Sequence, residues 1–263
     1  MSLLRSRDNP SVRRWHALAR DGRARRSERS ALIEGTHLLA AYLDSGARPR
    51  AVLVSESGKA RAEIAALVQR SGVAPVTLPD ALFRWLADAA TPAGLAAEIE
   101  IPACAASPLA AGDCVFMEAI QDAGNVGAIL RSAAAFGLRH AVLSQGCADA
   151  WSPKALRAGM GGHFSLAVTQ ARDLAAILGG FAGTLVCTVA QGGSPLGALD
   201  LRGDIGWIFG GEGKGVSTAT AAMARVRATI PLVPGAESLN VAAAAAVCFY
   251  ERARRLSTRD ARS

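Results

Sequence analysis

The chain has little with which to build a metal centre or a disulfide framework. It holds five cysteines and four histidines in 263 residues, and aromatic residues make up only 5%. No two of Cys104, Cys114, Cys147, Cys187 and Cys248 stand close enough for a C-x-x-C pair, and His37, His140 and His163 are dispersed without ligand spacing. No metal is expected, and an odd, scattered cysteine count reads as reduced thiols in a cytoplasmic protein. No apolar run approaches the ~18–20 residues of a membrane span, so no membrane partner is expected. The arginine-rich start lacks the apolar stretch and small-residue cleavage site of a secretory signal. A nucleotide-triphosphate loop is missing too. Counting back from Gly213-Lys214, Ile208 stands where the first glycine belongs, and Gly215 follows the lysine in place of Ser or Thr. No G-x-G-x-x-G follows an early strand, which argues against an ordinary dinucleotide-type site.

What is present is apolar residue, 51% of the chain, and positive charge, +7 in all. The charge sits at the ends. Residues 1–30 hold nine arginines against Asp8, Asp21 and Glu28, residues 251–263 hold five against Glu251 and Asp260, and the middle is close to neutral. Basic ends on a near-neutral body predict a polyanionic partner, most simply nucleic acid. His16 lies among Arg13, Arg14 and Arg20, where RNA contact is one reading and a solvated helix face the default one.

Residues 1–103 alternate helix-like and strand-like pieces. Asn9-Pro10-Ser11 opens a basic helix, Ala31–Gly35, Ala51–Val54, Pro75–Leu78 and Gly94–Ile101 read as strands, and Thr36–Leu43, Ala62–Val68 and Pro79–Ala87 as helices. This predicts a small α/β/α domain. Residues 104–112, a Pro/Ala/Ser/Gly stretch, read as a linker. From 113 to 263 a second α/β series follows. Its strands are Cys114–Ala119, His140–Leu143, Phe164–Val168, Thr184–Val189, Gly206–Phe209 and Ala228–Leu232. Its helices are Asn125–Phe136, Pro153–Ala158, Leu174–Leu178, Thr218–Ala224 and Leu239–Arg255. Strands alternating with helices predict a mostly parallel sheet covered on both faces.

Three segments of the second domain are dense in glycine and polar residues. Gln121–Ser132 joins a polar turn to a helix carrying Arg131 six residues after Asn125, near the mouth where open α/β sheets bind ligands. Ile208–Ser217 is a flexible glycine turn presenting one carboxylate, Glu212. Ile230–Asn240 is an apolar strand running into a Pro/Gly turn, with Ser238 and Asn240 where a long Ala-rich helix begins. As small polar residues they also fit as helix caps.

Read together, Asn125-x-Gly127-x-x-x-Arg131, Phe209-Gly210-x-Glu212-x-x-Gly215 and Ile230-Pro231 followed by Ser238-Leu239-Asn240-Val241 resemble the SpoU/TrmH-type RNA ribose 2′-O-methyltransferases, members of the trefoil-knotted SPOUT superfamily. Pro153–Gly161 resembles the stretch that links these motifs, with Gly159 where serine is more usual. Asn9-Pro10 and Glu34-Gly35 resemble the family's N-terminal RNA substrate-binding domain. The resemblance therefore spans nearly the whole chain. It implies a C-terminal knot that holds S-adenosylmethionine through Thr188, Val189, Ala190, Phe209, Gly210, Gly211, Ile230, Leu232, Ser238 and Leu239. It implies a catalytic group of Asn125, Arg131, Glu212, Ser238 and Asn240. RNA contacts are expected from Arg13, Arg14, Arg23, Arg25, Arg26, Glu34 and Gly35, and a homodimer through the C-terminal domain. The N-terminal domain favours rRNA over tRNA as substrate. A tRNA enzyme, or a non-catalytic RNA-binding ribosome-assembly protein on the same fold, stand as alternatives.

Overall fold

The computed structural model describes residues 2–103 and 112–260. The linker expected at 104–112, with Cys104, therefore lies outside the described residues except for Gly112. The chain divides into two compact units, one of residues 1–103 with Asp149–Phe164, the other of residues 104–148 with Ser165–Ser263.

The first unit is built on five strands, β1 (Ser2–Leu3), β2 (Ser30–Glu34), β3 (Ala51–Ser55), β4 (Pro75–Leu78) and β5 (Leu95–Glu100), in the order β1-β4-β3-β5-β2. Its helices are α1 (Pro10–Arg20), α2 (Gly22–Glu28), α3 (Thr36–Asp44), α4 (Ala62–Ser71) and α5 (Asp80–Leu86). The strands are apolar almost throughout because alternate side chains enter two covered faces. Ala31, Ile33, Val52 and Val54 pack with Leu38, Leu39 and Ile64, while Leu32, Leu53 and Leu78 pack with Val12, Leu18 and Phe83. Asn9 starts α1 by accepting from the amides of Ser11 and Val12, with Pro10 in the first turn. Helix α2 is a run of mostly polar residues with no apolar period to announce it; Asp21 starts it by accepting from the Arg23 amide.

The second unit is a seven-stranded, wholly parallel sheet. In chain order it runs β6 (Cys114–Glu118), α6 (Ala123–Ala135) and β7 (His140–Leu143). The chain then passes through the first unit, where it forms α7 (Pro153–Gly159). It returns as β8 (Ala167–Gln170), α8 (Leu174–Gly179), β9 (Thr184–Thr188), β10 (Ser194–Pro195), β11 (Ile205–Gly210), α9 (Thr218–Met223), β12 (Val226–Thr229) and α10 (Val241–Asp260). The strand order is β10-β12-β9-β11-β6-β7-β8. Cys114, Phe116, Leu185 and Ile208 face α8 and α9, and on the other face Phe209 meets Phe249 of α10 edge to face at 5.8 Å. Arg252 of α10 is nearly buried; it pairs with Asp113 at 2.9 Å and donates to the carbonyls of Leu201 and Gly203, which fastens the helix to the sheet.

Most boundaries shift by a residue or more from those expected, and four of the shifts bear on the second unit's loops. Helix α6 begins at Ala123, because Asp122 rather than Asn125 caps it. Strand β8 begins at Ala167, after a tight turn of Gly162–Ser165. Strand β12 spans Val226–Thr229 and not 228–232: it pairs with Val186–Thr188 of β9, and beyond it Pro231 lacks the N–H that a ladder needs. Helix α10 begins at Val241, with Asn240 as its cap.

Candidate active site

At the C-terminal ends of β9, β11 and β12 three loops enclose a cavity of about 650 Å³, within the ~300–1,000 Å³ usual for small-molecule sites. Its lining includes Thr188, Val189 and Ala190, then Phe209, Gly210 and Gly211, and then Ile230, Leu232, Ser238 and Leu239. These ten are the residues that the family resemblance assigns to the cofactor. Ile230, Leu232 and Leu239 give the cavity an apolar wall, and the glycine turn offers it backbone groups. Thr188 is fixed by donating its hydroxyl to the Ile208 carbonyl at 2.9 Å.

The glycines have a local cause. A Cβ on Gly210 would lie 2.0 Å from the Gly215 backbone, and one on Gly211 would lie 2.4 Å from the Ala119 carbonyl oxygen. The turn folds back on itself and onto the end of β6, so it is the turn's own closure that excludes side chains here. Two further residues, Glu118 and Lys214, belong to this arrangement without being fixed positions of the motifs. Glu118 accepts from the Ser217 amide and hydroxyl and from the Thr220 hydroxyl, which ties the far end of the turn to β6. A carboxylate closing an otherwise apolar strand is the signal that could have marked it. Lys214 lines the cavity as well.

Three of the five residues expected to act on the hydroxyl form one hydrogen-bonded chain. Asn240 accepts from the Ala242 and Ala243 amides at 2.9 and 3.3 Å, and donates from Nδ2 to Asn125 Oδ1 at 3.0 Å. Asn125 Nδ2 in turn donates to Glu212 Oε1. Glu212 and Asn240 line the cavity, so the chain runs along its edge. Ser238 is exposed and lines it too. Arg131 is exposed on α6, and no side-chain hydrogen bond or ion pair joins it to this group among the described residues.

The residues expected to contact RNA divide into two sets. Arg13, Arg23 and Arg26 are exposed on α1 and α2. Three others are engaged inside the fold. Arg25 is 5% exposed, pairs with Asp149 at 2.7 Å and donates to the Leu18 carbonyl. Arg14 grips the buried Glu98 with both terminal nitrogens and also reaches Glu28. Glu34 accepts from the amides of Asp88 and Ala89, bracing the loop before β5. Gly35 follows it in the left-handed region, φ 93°. The buried pairing, invisible in a linear reading, withdraws Arg25 from the expected RNA surface, whereas Arg14 keeps 38% of its side chain exposed while paired with Glu98 and Glu28.

Comparison with known proteins places these features in context. The model of the SpoU rRNA Methylase family matches residues 113–250, and that of the MRM3-like substrate binding domain matches residues 9–97. The chain is 31% identical to the 23S rRNA (guanosine(2553)-2'-O)-methyltransferase RlmP of Bacillus subtilis (strain 168), over 95% of this chain and 98% of the relative. A solved RNA 2'-O ribose methyltransferase is 28% identical with a TM-score of 0.81, over 97% of this chain and 99% of that one. The SpoU methyltransferase AviRb from Streptomyces viridochromogenes, solved in complex with AdoMet, shares the fold at TM-score 0.84 and 23% identity, over 95% of this chain and 100% of that one.

Proposed function

The chain belongs to the SpoU rRNA Methylase family, and from that premise we propose that it transfers the methyl group of S-adenosylmethionine to a ribose 2′-hydroxyl of large-subunit ribosomal RNA. The observation that carries this reading is the cavity at the strand ends, bordered by the Asn240–Asn125–Glu212 chain. Its volume, apolar wall and glycine turn fit an adenosyl group with a polar tail. When bound, the cofactor supplies an electrophilic methyl on sulfonium.

The protein's own residues have the remaining work of orientation and charge. The hydroxyl oxygen must lie in line behind the methyl and lose its proton as the bond forms. A guanidinium keeps its proton in proteins, so Arg131 is assigned to holding the RNA and stabilising the developing negative oxygen rather than to taking the proton. Ser238, Asn125 and Glu212 are assigned to positioning the ribose. The reading extends to the trefoil knot, through which Ile230–Asn240 would return to bring Asn240 against Asn125. It also extends to a cytoplasmic homodimer formed by the C-terminal unit. Val247 and Tyr250, one turn apart on α10, are 39% and 56% exposed and would be covered in it.

The test is methyl transfer from labelled S-adenosylmethionine to protein-free 23S rRNA and tRNA, with the product mapped by mass spectrometry. A 2′-O-methylated nucleotide in 23S rRNA is expected. Transfer to tRNA alone would shift the substrate class. Absence of calorimetric S-adenosylmethionine binding at millimolar concentration would favour the non-catalytic alternative.

A further inference from the structure

With Arg25 buried and Arg14 and Glu34 already held by partners, the question is which surface of the N-terminal unit faces RNA. One group of side chains there is only partly accounted for by packing: Trp85 rests against the core that holds Leu82 and Phe83 and stays half-buried. His16 of α1 stacks on Trp85 of α5 with ring centroids 3.8 Å apart and planes inclined by 7°. The Arg7 guanidinium lies 5.0 Å from the centre of the same indole. Both rings are only half-buried, and Arg7 is exposed. Arg13 and Arg20 stand three residues before and four after His16, hence on the same face of α1. Arg20 is held by Asp88 at 3.0 Å and by the Ala87 carbonyl. Arg13 makes no side-chain hydrogen bond or ion pair among the described residues. Burial first, then Arg20 and Arg7, push the pKa of His16 below its ordinary value, so the ring that meets the indole is uncharged near neutrality.

We propose that the Arg7–Trp85–His16 stack, flanked by Arg13 and Arg20, is a docking platform for unpaired nucleotides of the RNA substrate. The proposal rests on the RNA reading above and names the form of RNA that this unit takes. A base offers a flat π-face that stacks on aromatic rings and guanidinium planes, and only an unpaired base can be splayed out to do so. The surrounding arginines suit the phosphates on either side, since the planar fork of a guanidinium matches phosphate oxygens. An incoming base competes with Arg7 for the indole, and the released cation is then free for a phosphate. An acidic peptide would satisfy the cations but would leave the aromatic surface without a partner.

The experiment uses the full chain, with an oligoadenylate and an RNA duplex of equal length as probes, followed by anisotropy and tryptophan emission. Trp85→Leu keeps an apolar side chain against the core and is expected to weaken oligoadenylate binding about tenfold, to abolish its quenching of tryptophan emission, and to leave duplex binding unchanged. Arg7→Ala is expected to lower the slope of log K against log salt by roughly one. Because Arg7 is exposed, this variant carries the test even if Trp85→Leu fails to fold. Both should bind S-adenosylmethionine as the unaltered protein does. Unchanged oligoadenylate affinity and salt slope in both variants would overturn the platform, as would poly-L-glutamate binding with equal affinity and equal quenching. Failure of the unaltered protein to methylate either 23S rRNA or tRNA would instead remove the enzymatic reading. The platform would survive that result if Trp85→Leu still weakened oligoadenylate binding and Arg7→Ala still lowered the salt slope.

Discussion

Asn125 sets the polarity of the candidate site. An amide side chain can point its oxygen or its nitrogen either way, and here the choice is made from a distance. The free N–H groups at the start of α10 take Asn240 Oδ1, so Asn240 must present its nitrogen to Asn125, and Asn125 must present its own to Glu212. Asn125→Asp leaves the bond from Asn240 possible and sets one carboxylate against another. The two cannot both stay ionised and in contact. Glu212 is expected to turn away, and single-turnover methyl transfer to slow by about 10–100-fold, ~1.4–2.7 kcal/mol, with S-adenosylmethionine affinity within about threefold by calorimetry. A rate equal to that of the unaltered protein would dismiss the chain as a positioning device. Asn125, Glu212 and Asn240 could be picked out as a group in the sequence because each stands in one of the three segments that carry the family resemblance, at or beside a turn. Arg25 could not, since nothing near it in the chain announces Asp149.

Elements were legible where local chemistry decides them. The Asn9 cap with Pro10 and the alternating apolar strands are of this kind. They were misread where the outcome depends on partners: Ile230 and Leu232 are apolar enough for a strand, yet β9 ends at Thr188 and offers no further ladder. The segment Asp149–Phe164 is the largest such case, because it leaves the parallel sheet between β7 and β8 and folds with the first unit. Within it His163 is 2% exposed, donates from Nε2 to the Ala150 carbonyl at 2.8 Å and has no partner at Nδ1 among the described residues. Burial lowers its pKa from 6.5 to about 4. Above pH 6.5 both folded and unfolded chains carry the neutral ring, and the histidine adds no pH dependence. As pH falls from about 6.5 to about 4 the unfolded chain takes up the proton and the folded one does not, so stability declines by up to ~1.4 kcal/mol per pH unit. Urea unfolding at pH 7 and pH 5 should therefore show the unaltered protein losing about 2 kcal/mol more than His163→Gln over that interval. Equal losses would mean that the ring is protonated within the fold.

At the scale of the molecule, the same segment makes the first unit discontinuous, whereas the sequence suggests a domain contained in residues 1–103. Leu156 of α7 is buried in the core formed by β2, β3, β5, α3 and α4, Asp149 pairs with the nearly buried Arg25, and Arg157 pairs with Asp88 at 2.7 Å. A fragment ending at residue 103 loses all three interactions. Cutting the chain uncovers Arg25 as well as unpairing it, so the cost is smaller than the ~3–5 kcal/mol of breaking a pair that stays buried. The loss of Leu156 alone is worth ~1.5–3 kcal/mol of apolar burial, a large share of the ~5–15 kcal/mol that holds a domain together. Residues 1–103 are therefore expected to unfold at a clearly lower urea concentration than the same residues joined through a short Gly/Ser linker to Asp149–Phe164. Asp149→Asn in the joined form should bring back part of that deficit, since the amide keeps one acceptor for Arg25 but loses the charge. Coincident unfolding curves for the two fragments would show that the first hundred residues carry their own stability, and the segment would then be cargo on the unit rather than part of its core.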